Sequence, residues 1–162
     1  AATRPAQDAG VRVAFLRSGV VLSPDGGLLK KVSLPFNLGL AATLGNGTQY
    51  MSWISLTDWL RAVIFLINTE DLDGPVNLVS PQPVTNKEFT MALAHRLNRP
   101  ALLRLPAWLL KIILGELAEA LLLCSQRVTP QKLLAANFQF KYDTLNRMLQ
   151  DTLDNTKPRG DL

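Results

Sequence analysis

Apolar residues fall into short runs in the first half of the chain and into helical spacings in the second. Val11–Leu16 (VRVAFL) is a β-branched and apolar run after Gly10. It predicts a parallel strand covered on both faces. Val76–Val79 repeats the pattern and is stopped by Pro81 and Pro83. Ala101–Leu105 predicts a third, short edge strand. Between the first two runs, Asp58–Asn68 predicts a helix with Trp59, Leu60, Ala62, Val63, Ile64, Phe65, Leu66 and Ile67 apolar and Arg61 alone interrupting. A helix without a polar face is expected to be buried on several sides. Two parallel strands with a helical crossover are the signature of an α/β sheet. Thr85 and Glu88 form a capping-box pattern. The helix behind them places Phe89, Leu93 and Leu97 on one face and stops at Asn98–Pro100. Leu28–Phe36 reads as a short helix or an irregular apolar segment, and Gln126–Val128 as a short strand. Pro130 opens a helix through Ala136. Asp143 or Thr144 caps the last helix, with Leu145, Met148, Leu149 and Leu153 turned inward. Residues 155–162 read as a polar tail.

The stretch Gly45–Asp58, GNGTQYMSWISLTD, joins these elements. Gly45 and Gly47 bracket Asn46 and predict a tight turn. A short extended run follows. Ser55 or Thr57 is placed to cap the central helix, with Asp58 in the first turn where the helix dipole favours a negative charge.

The 162 residues suffice for one domain with its own core, and 48% hydrophobic against 19% charged residues excludes a disordered chain. The net charge of +4 is scattered, with Lys30–Lys31 the longest basic run. That pattern fits a solvated surface better than a nucleic-acid interface. Cys124 is the single cysteine, which excludes an internal disulfide and suits a reducing, cytoplasmic setting. The polar start AATRPAQDAG carries no signal-peptide pattern. Trp108–Leu123 is the most apolar stretch. Lys111, Glu116 and Glu119 interrupt it and Gly115 bends it, so an amphipathic pair of helices is expected rather than a membrane span. No metal-ligand spacing occurs. His95 lies off the apolar face of its helix and reads as solvated.

GxGxQxxxWIxxxD before an apolar helix resembles the C-terminal half of the extended short-chain dehydrogenases/reductases, the NAD(P)-dependent epimerase/dehydratase superfamily. The resemblance is closest to the "epimerase family protein", nucleoside-diphosphate-sugar epimerase-like branch. LRSGVVLSPDGGLLKK, LPFNLGL, GPVNLVSPQPVTNKEF and SQRVTPQKLLAANFQF extend it over most of residues 10–150. It implies the C-terminal part of a Rossmann-like parallel sheet in residues 1–83 and a small, mostly helical substrate-side domain in 84–154. It implies NAD(P) in the full-length parent. It also implies that the nucleotide-binding glycine motif and the Tyr-x-x-x-Lys pair lie upstream, and neither pattern occurs in the 162 residues. The expectation is therefore a substrate-side half with no catalytic residue of its own and no cofactor bound alone. It would pair with an N-terminal Rossmann half or with a second copy. A non-catalytic assembly module is the alternative.

Ser18, Gly19, Val20 and Val21 follow the first strand, and ligands bind at strand carboxyl ends in open α/β sheets. The resemblance places this loop beside the nicotinamide, and a strand end with a close-packed glycine is the other reading. Gln49 and Trp53 are pocket candidates, with core packing the alternative for Trp53. In sugar-nucleotide epimerases an arginine two places after the glutamine takes the pyrophosphate. Met51 stands there, and it cannot make an arginine's bidentate contact, so a neutral or apolar ligand fits better. The resemblance adds Glu116, Gln126 and Arg127 to the substrate side. Asp58 reads as a helix-terminus carboxylate or, less simply, a general base.

Overall fold

The structure, a computed structural model, describes residues 3–106, 108 and 125–154. Among these the chain runs α1 (Arg4–Asp8), β1 (Ala14–Ser18), β2 (Val20–Ser23), α2 (Gly27–Asn37), β3 (Ala42–Leu44), β4 (Tyr50–Met51), β5 (Trp53–Ser55), α3 (Leu56–Asn68), β6 (Gly74–Leu78), β7 (Val84–Thr85), α4 (Asn86–Arg96), β8 (Leu103–Leu105), α5 (Gln131–Ala135) and α6 (Leu145–Asp154). The fold is α/β with parallel pairs. β1 lies parallel to β6 with Ala14 opposite Gly74. β2 lies parallel to β5 with Val20 opposite Trp53. β3 lies parallel to β8, and β4 lies antiparallel to β7.

β1 and β2 are one line of chain that changes partner at Gly19. Gly19 N–H donates to Leu78 O at 3.1 Å, and Val20 N–H donates to Ser52 O at 2.9 Å. The change of partner needs close approach. A Cβ on Gly19 would stand 2.5 Å from Ser52 O and 2.8 Å from Val79 Cγ1.

Two apolar clusters hold the elements. One joins Leu22, Leu29, Phe36, Ala41 and Trp53 to Phe89, Leu93, Leu145, Met148 and Leu149, so it draws on both sides of residue 83. The other joins Ile54, Ala62, Leu66, Val76, Leu78, Leu133 and Phe138. Phe138 meets Phe65 and Phe140 edge-on, with centroids at 5.3 and 4.8 Å. The capping box forms as the sequence predicts: Glu88 N–H donates to Thr85 Oγ1 at 3.2 Å, and Thr85 N–H to Glu88 Oε2 at 2.7 Å. Ser55, not Thr57, caps α3. At the far end of α3, Arg12 donates to Leu66 O at 3.0 Å and Leu72 O at 2.9 Å, where a cation complements the helix dipole.

Four expectations change. The first strand starts at Ala14 rather than Val11 and runs to Ser18. Its expected double cover is absent among the described residues: Phe15 is 40% and Leu16 46% exposed. The central helix is likewise covered on one side only, and Leu56, Leu60, Ile64 and Ile67 form an exposed stripe. Period-2 and period-3.6 patterns report apolar positions, not whether the described residues supply a covering layer. Gln126–Val128 is bonded to the Tyr50–Ser52 segment but makes no strand ladder. Of the Trp108–Leu123 stretch, only Trp108 is described, and it is 63% exposed. Lys111, Gly115, Glu116, Glu119 and Cys124 lie outside the described residues, as do residues 155–162. No helix among the described residues is long and apolar enough to cross a membrane.

Candidate functional site

The Gly45–Gly47 turn sets the geometry of everything after it. Both glycines take positive φ, 57° and 75°, a region that favours glycine. Gly47 N–H closes the turn on Leu44 O at 3.0 Å. The turn is stitched to the start of α4: Lys87 N–H donates to Gly47 O at 3.0 Å, Asn86 N–H to Gln49 O at 2.9 Å, and Leu44 N–H to Asn86 Oδ1 at 2.8 Å. Gln49 is thereby buried, and its Nε2 donates to Leu44 O at 3.1 Å.

The Tyr50–Trp53 segment is contacted on two sides. Ser52 O accepts from Val20 N–H, so the β1–β2 junction at Gly19 lies along one side; the loop expected after the first strand is instead the end of β1 and the start of β2. On another side, Tyr50 N–H donates to Ser125 Oγ at 3.1 Å and Gln126 N–H to Tyr50 O at 3.0 Å. Ser52 Oγ donates to Gln126 O at 2.8 Å and accepts from Val128 N–H at 2.9 Å. A buried serine thus splices two segments distant in sequence. The Arg127 guanidinium sits 4.9 Å from the Tyr50 ring centroid, a cation–π contact.

Of the residues singled out from the sequence, Gly19 and Val20 meet this segment on one side and Gln126 and Arg127 on the other, while Val21 lies opposite Ile54 and Ser18 opposite Leu78. Ser18 Oγ is exposed and accepts from Trp59 Nε1–H at 2.8 Å. Val20, Gln126 and Arg127 are exposed. Trp53 points the other way. It is 0% exposed, packs in the first cluster, and its indole N–H donates to Gln82 O at 2.9 Å. Met51 packs against the same cluster. Glu116 lies outside the described residues.

Asp58 is the polar centre that sequence reasoning under-read. It is 1% exposed. Ser55 Oγ donates to its Oδ2 at 3.0 Å and Arg61 to its Oδ1 at 3.1 Å. Lys141 N–H donates to Oδ1 at 2.7 Å and Tyr142 N–H to Oδ2 at 2.9 Å. With every lone-pair direction engaged, it serves as a clamp and not as a base open to substrate. The helix cap was visible in the sequence; the loop it grips, more than 80 residues on, was not.

That loop borders an open cleft of about 410 Å3 lined by Lys141, Tyr142, Arg147, Gln150 and Asp151. The Tyr142 hydroxyl donates to Asp151 Oδ2, and Lys141 Nζ stands 3.1 Å from the same oxygen. Burial, and then the bond to Asp151, hold the Tyr142 phenol above its usual range. Hydrogen bonding to Tyr142 and Asp151 raises Lys141 and keeps it cationic. His95 is exposed in the last turn of α4. Among the described residues no group of His, Cys, Asp and Glu is placed to hold a metal.

A family model described as a domain of unknown function, DUF1731, matches residues 105–152. An epimerase family protein of Mycobacterium tuberculosis is 51% identical over 148 residues, covering 91% of this chain and 49% of that protein. One of Staphylococcus aureus is 38% identical over 144 residues, covering 89% and 48%. The chain therefore spans about half the length of the curated relatives it matches. Among solved structures, human epimerase family protein SDR39U1, crystallised with NADPH, superposes with a TM-score of 0.84 at 32% identity, covering 90% of this chain and 49% of that one. A nucleoside-diphosphate sugar epimerase of Corynebacterium glutamicum gives a TM-score of 0.74 at 32% identity, covering 94% and 28%. With its parallel pairs and its Gly45–Asp58 stretch, the chain belongs with the epimerase family proteins, of which it spans about half the length.

Proposed function

We propose that this chain is the substrate-side half of an NAD(P)-dependent, epimerase/dehydratase-like oxidoreductase and is inert alone. The observation that carries the reading is the convergence of Gly19–Val20 and Gln126–Val128 on Tyr50–Ser52. In this reading Ser18, Gly19, Val20 and Val21 lie against the nicotinamide end of a cofactor whose phosphates are held by a partner Rossmann half. Gln126 and Arg127 offer exposed polar groups to the substrate. Gln49, Met51 and Trp53 act from behind, as the packed support that fixes the segment. With Met51 in an apolar cluster there is no guanidinium there for a pyrophosphate, so the substrate is a neutral or apolar molecule rather than a sugar nucleotide. The general acid/base and its lysine come from the partner half. NADPH in the human relative supports the class of cofactor.

The exposed stripe Leu56, Leu60, Ile64 and Ile67, with Phe15 and Leu16 on β1, favours pairing with that half or, in its absence, with a second copy. The test is calorimetric titration of the purified chain with NADPH and NADH. The expected result is no measurable heat of binding, because dinucleotide affinity rests largely on phosphate contacts at a glycine-rich helix start. A dissociation constant near micromolar would overturn the reading.

A further inference from the structure

The cleft between the 141–143 loop and α6 shares no residue with the Tyr50–Ser52 assembly. Three observations single it out. First, its wall is fixed before any ligand arrives. Asp58, itself buried at the start of α3, holds the Lys141 and Tyr142 amides, and Ser80 Oγ donates to Asp143 O at 3.2 Å. The loop is thus moored just beyond the carboxyl ends of β5 and β6, the side of an α/β sheet on which ligands sit.

Second, the negative charge inside the cleft is already matched. Asp151 takes the Tyr142 hydroxyl and lies 3.1 Å from Lys141 Nζ. Lys141 remains cationic there, and its Nζ stands 4.7 Å from the Tyr142 ring centroid.

Third, the remaining cation is loosely held. Arg147 stands 3.7 Å from Asp143 Oδ1, beyond hydrogen-bond reach, with both side chains more than half exposed. Such a pair is weak and readily exchanged. Gln150 lies three residues on from Arg147, on the same side of α6, and lines the same space.

We propose that this cleft binds a small oxyanion, the carboxylate or phosphate group of a metabolite. The Arg147 guanidinium takes two of its oxygens in a fork, the Gln150 amide donates to it, and Lys141 supplies the neighbouring positive charge. An incoming oxyanion replaces the loose Asp143 contact with parallel charge-assisted bonds, which are shorter and stronger. The excess positive charge of the whole chain favours its approach. The volume is in the range of small-molecule sites.

The experiment is an amide chemical-shift titration of the full chain with inorganic phosphate and, separately, citrate, at low and high salt. Saturable shifts confined to residues 141–151, weaker at high salt, are expected with at least one of the two. Saturation by phosphate alone identifies a phosphoryl ligand, and by citrate alone a carboxylate. Arg147→Gln removes the fork and is expected to weaken binding roughly tenfold or more. Asp143→Asn removes the competing carboxylate and is expected to tighten it by about threefold. Both positions are exposed, so both variants should keep the parent circular dichroism and melting temperature. Absence of saturable shifts with either anion overturns the proposal. So does a wild-type isotherm in Arg147→Gln, or unchanged or weakened binding in Asp143→Asn.

Discussion

A buried carboxylate must satisfy several lone pairs, and Asp58 does so with four donors drawn from the helix it starts and from a loop at the other end of the chain. Asparagine in its place keeps the volume but turns an amide N–H2 towards backbone N–H groups. Asp58→Asn is therefore expected to lower stability by about 2–4 kcal/mol. Urea unfolding should show a lower midpoint with an unchanged m-value. Half of this role was legible beforehand, because a carboxylate in the first turn of a capped helix is a local signal. The other half depends on Lys141 and Tyr142, and nothing local couples residue 58 to residue 142. Trp53 shows the same limit. Its place beside Gln49 left pocket and core both open, and only the cluster of Leu22, Leu29, Phe36 and Phe89 around it settles on core.

The apolar runs of β1, β6 and β8, the helix after Ser55, the capping box and the inward face of the last helix are local in origin, and the sequence predicted them, whereas β2 lies in a stretch read as a loop. Cover depends on what lies outside the element. β1 illustrates both points: it is a parallel strand, as its composition said, yet it leaves Phe15 and Leu16 exposed. Gly19 is the element-scale hinge between β1 and β2. A methyl group there must push Ser52 O and Val79 aside, and both directly adjoin strands, Ser52 between β4 and β5 and Val79 after β6. Gly19→Ala is expected to cost about 1–3 kcal/mol through overpacking. It should also speed hydrogen exchange at the Val20 amide, which bonds to Ser52 O. Wild-type melting and wild-type protection at Val20 would show that the crossing has slack.

On the scale of the whole molecule, the described residues form two packed clusters and a bare apolar stripe on α3. Ile64, 60% exposed in the middle of that stripe, separates folding from association. Ile64→Lys should leave stability within about 0.5 kcal/mol, as exposed substitutions do. It should also shift sedimentation towards the monomer at equal concentration; an unchanged profile would place self-association elsewhere. The separation of 84 residues between Asp58 and the Tyr142 amide has a further consequence. During synthesis the chain emerges at about 5–20 residues per second. The carboxylate then waits several seconds for the loop that will neutralise its burial, and Ser52 waits almost as long for Gln126 and Val128. Until the last helix leaves the ribosome, the α3 end of the molecule must stay wet and open. The interval in which a chaperone or a partner chain finds it unclosed is thus written into the spacing of its contacts.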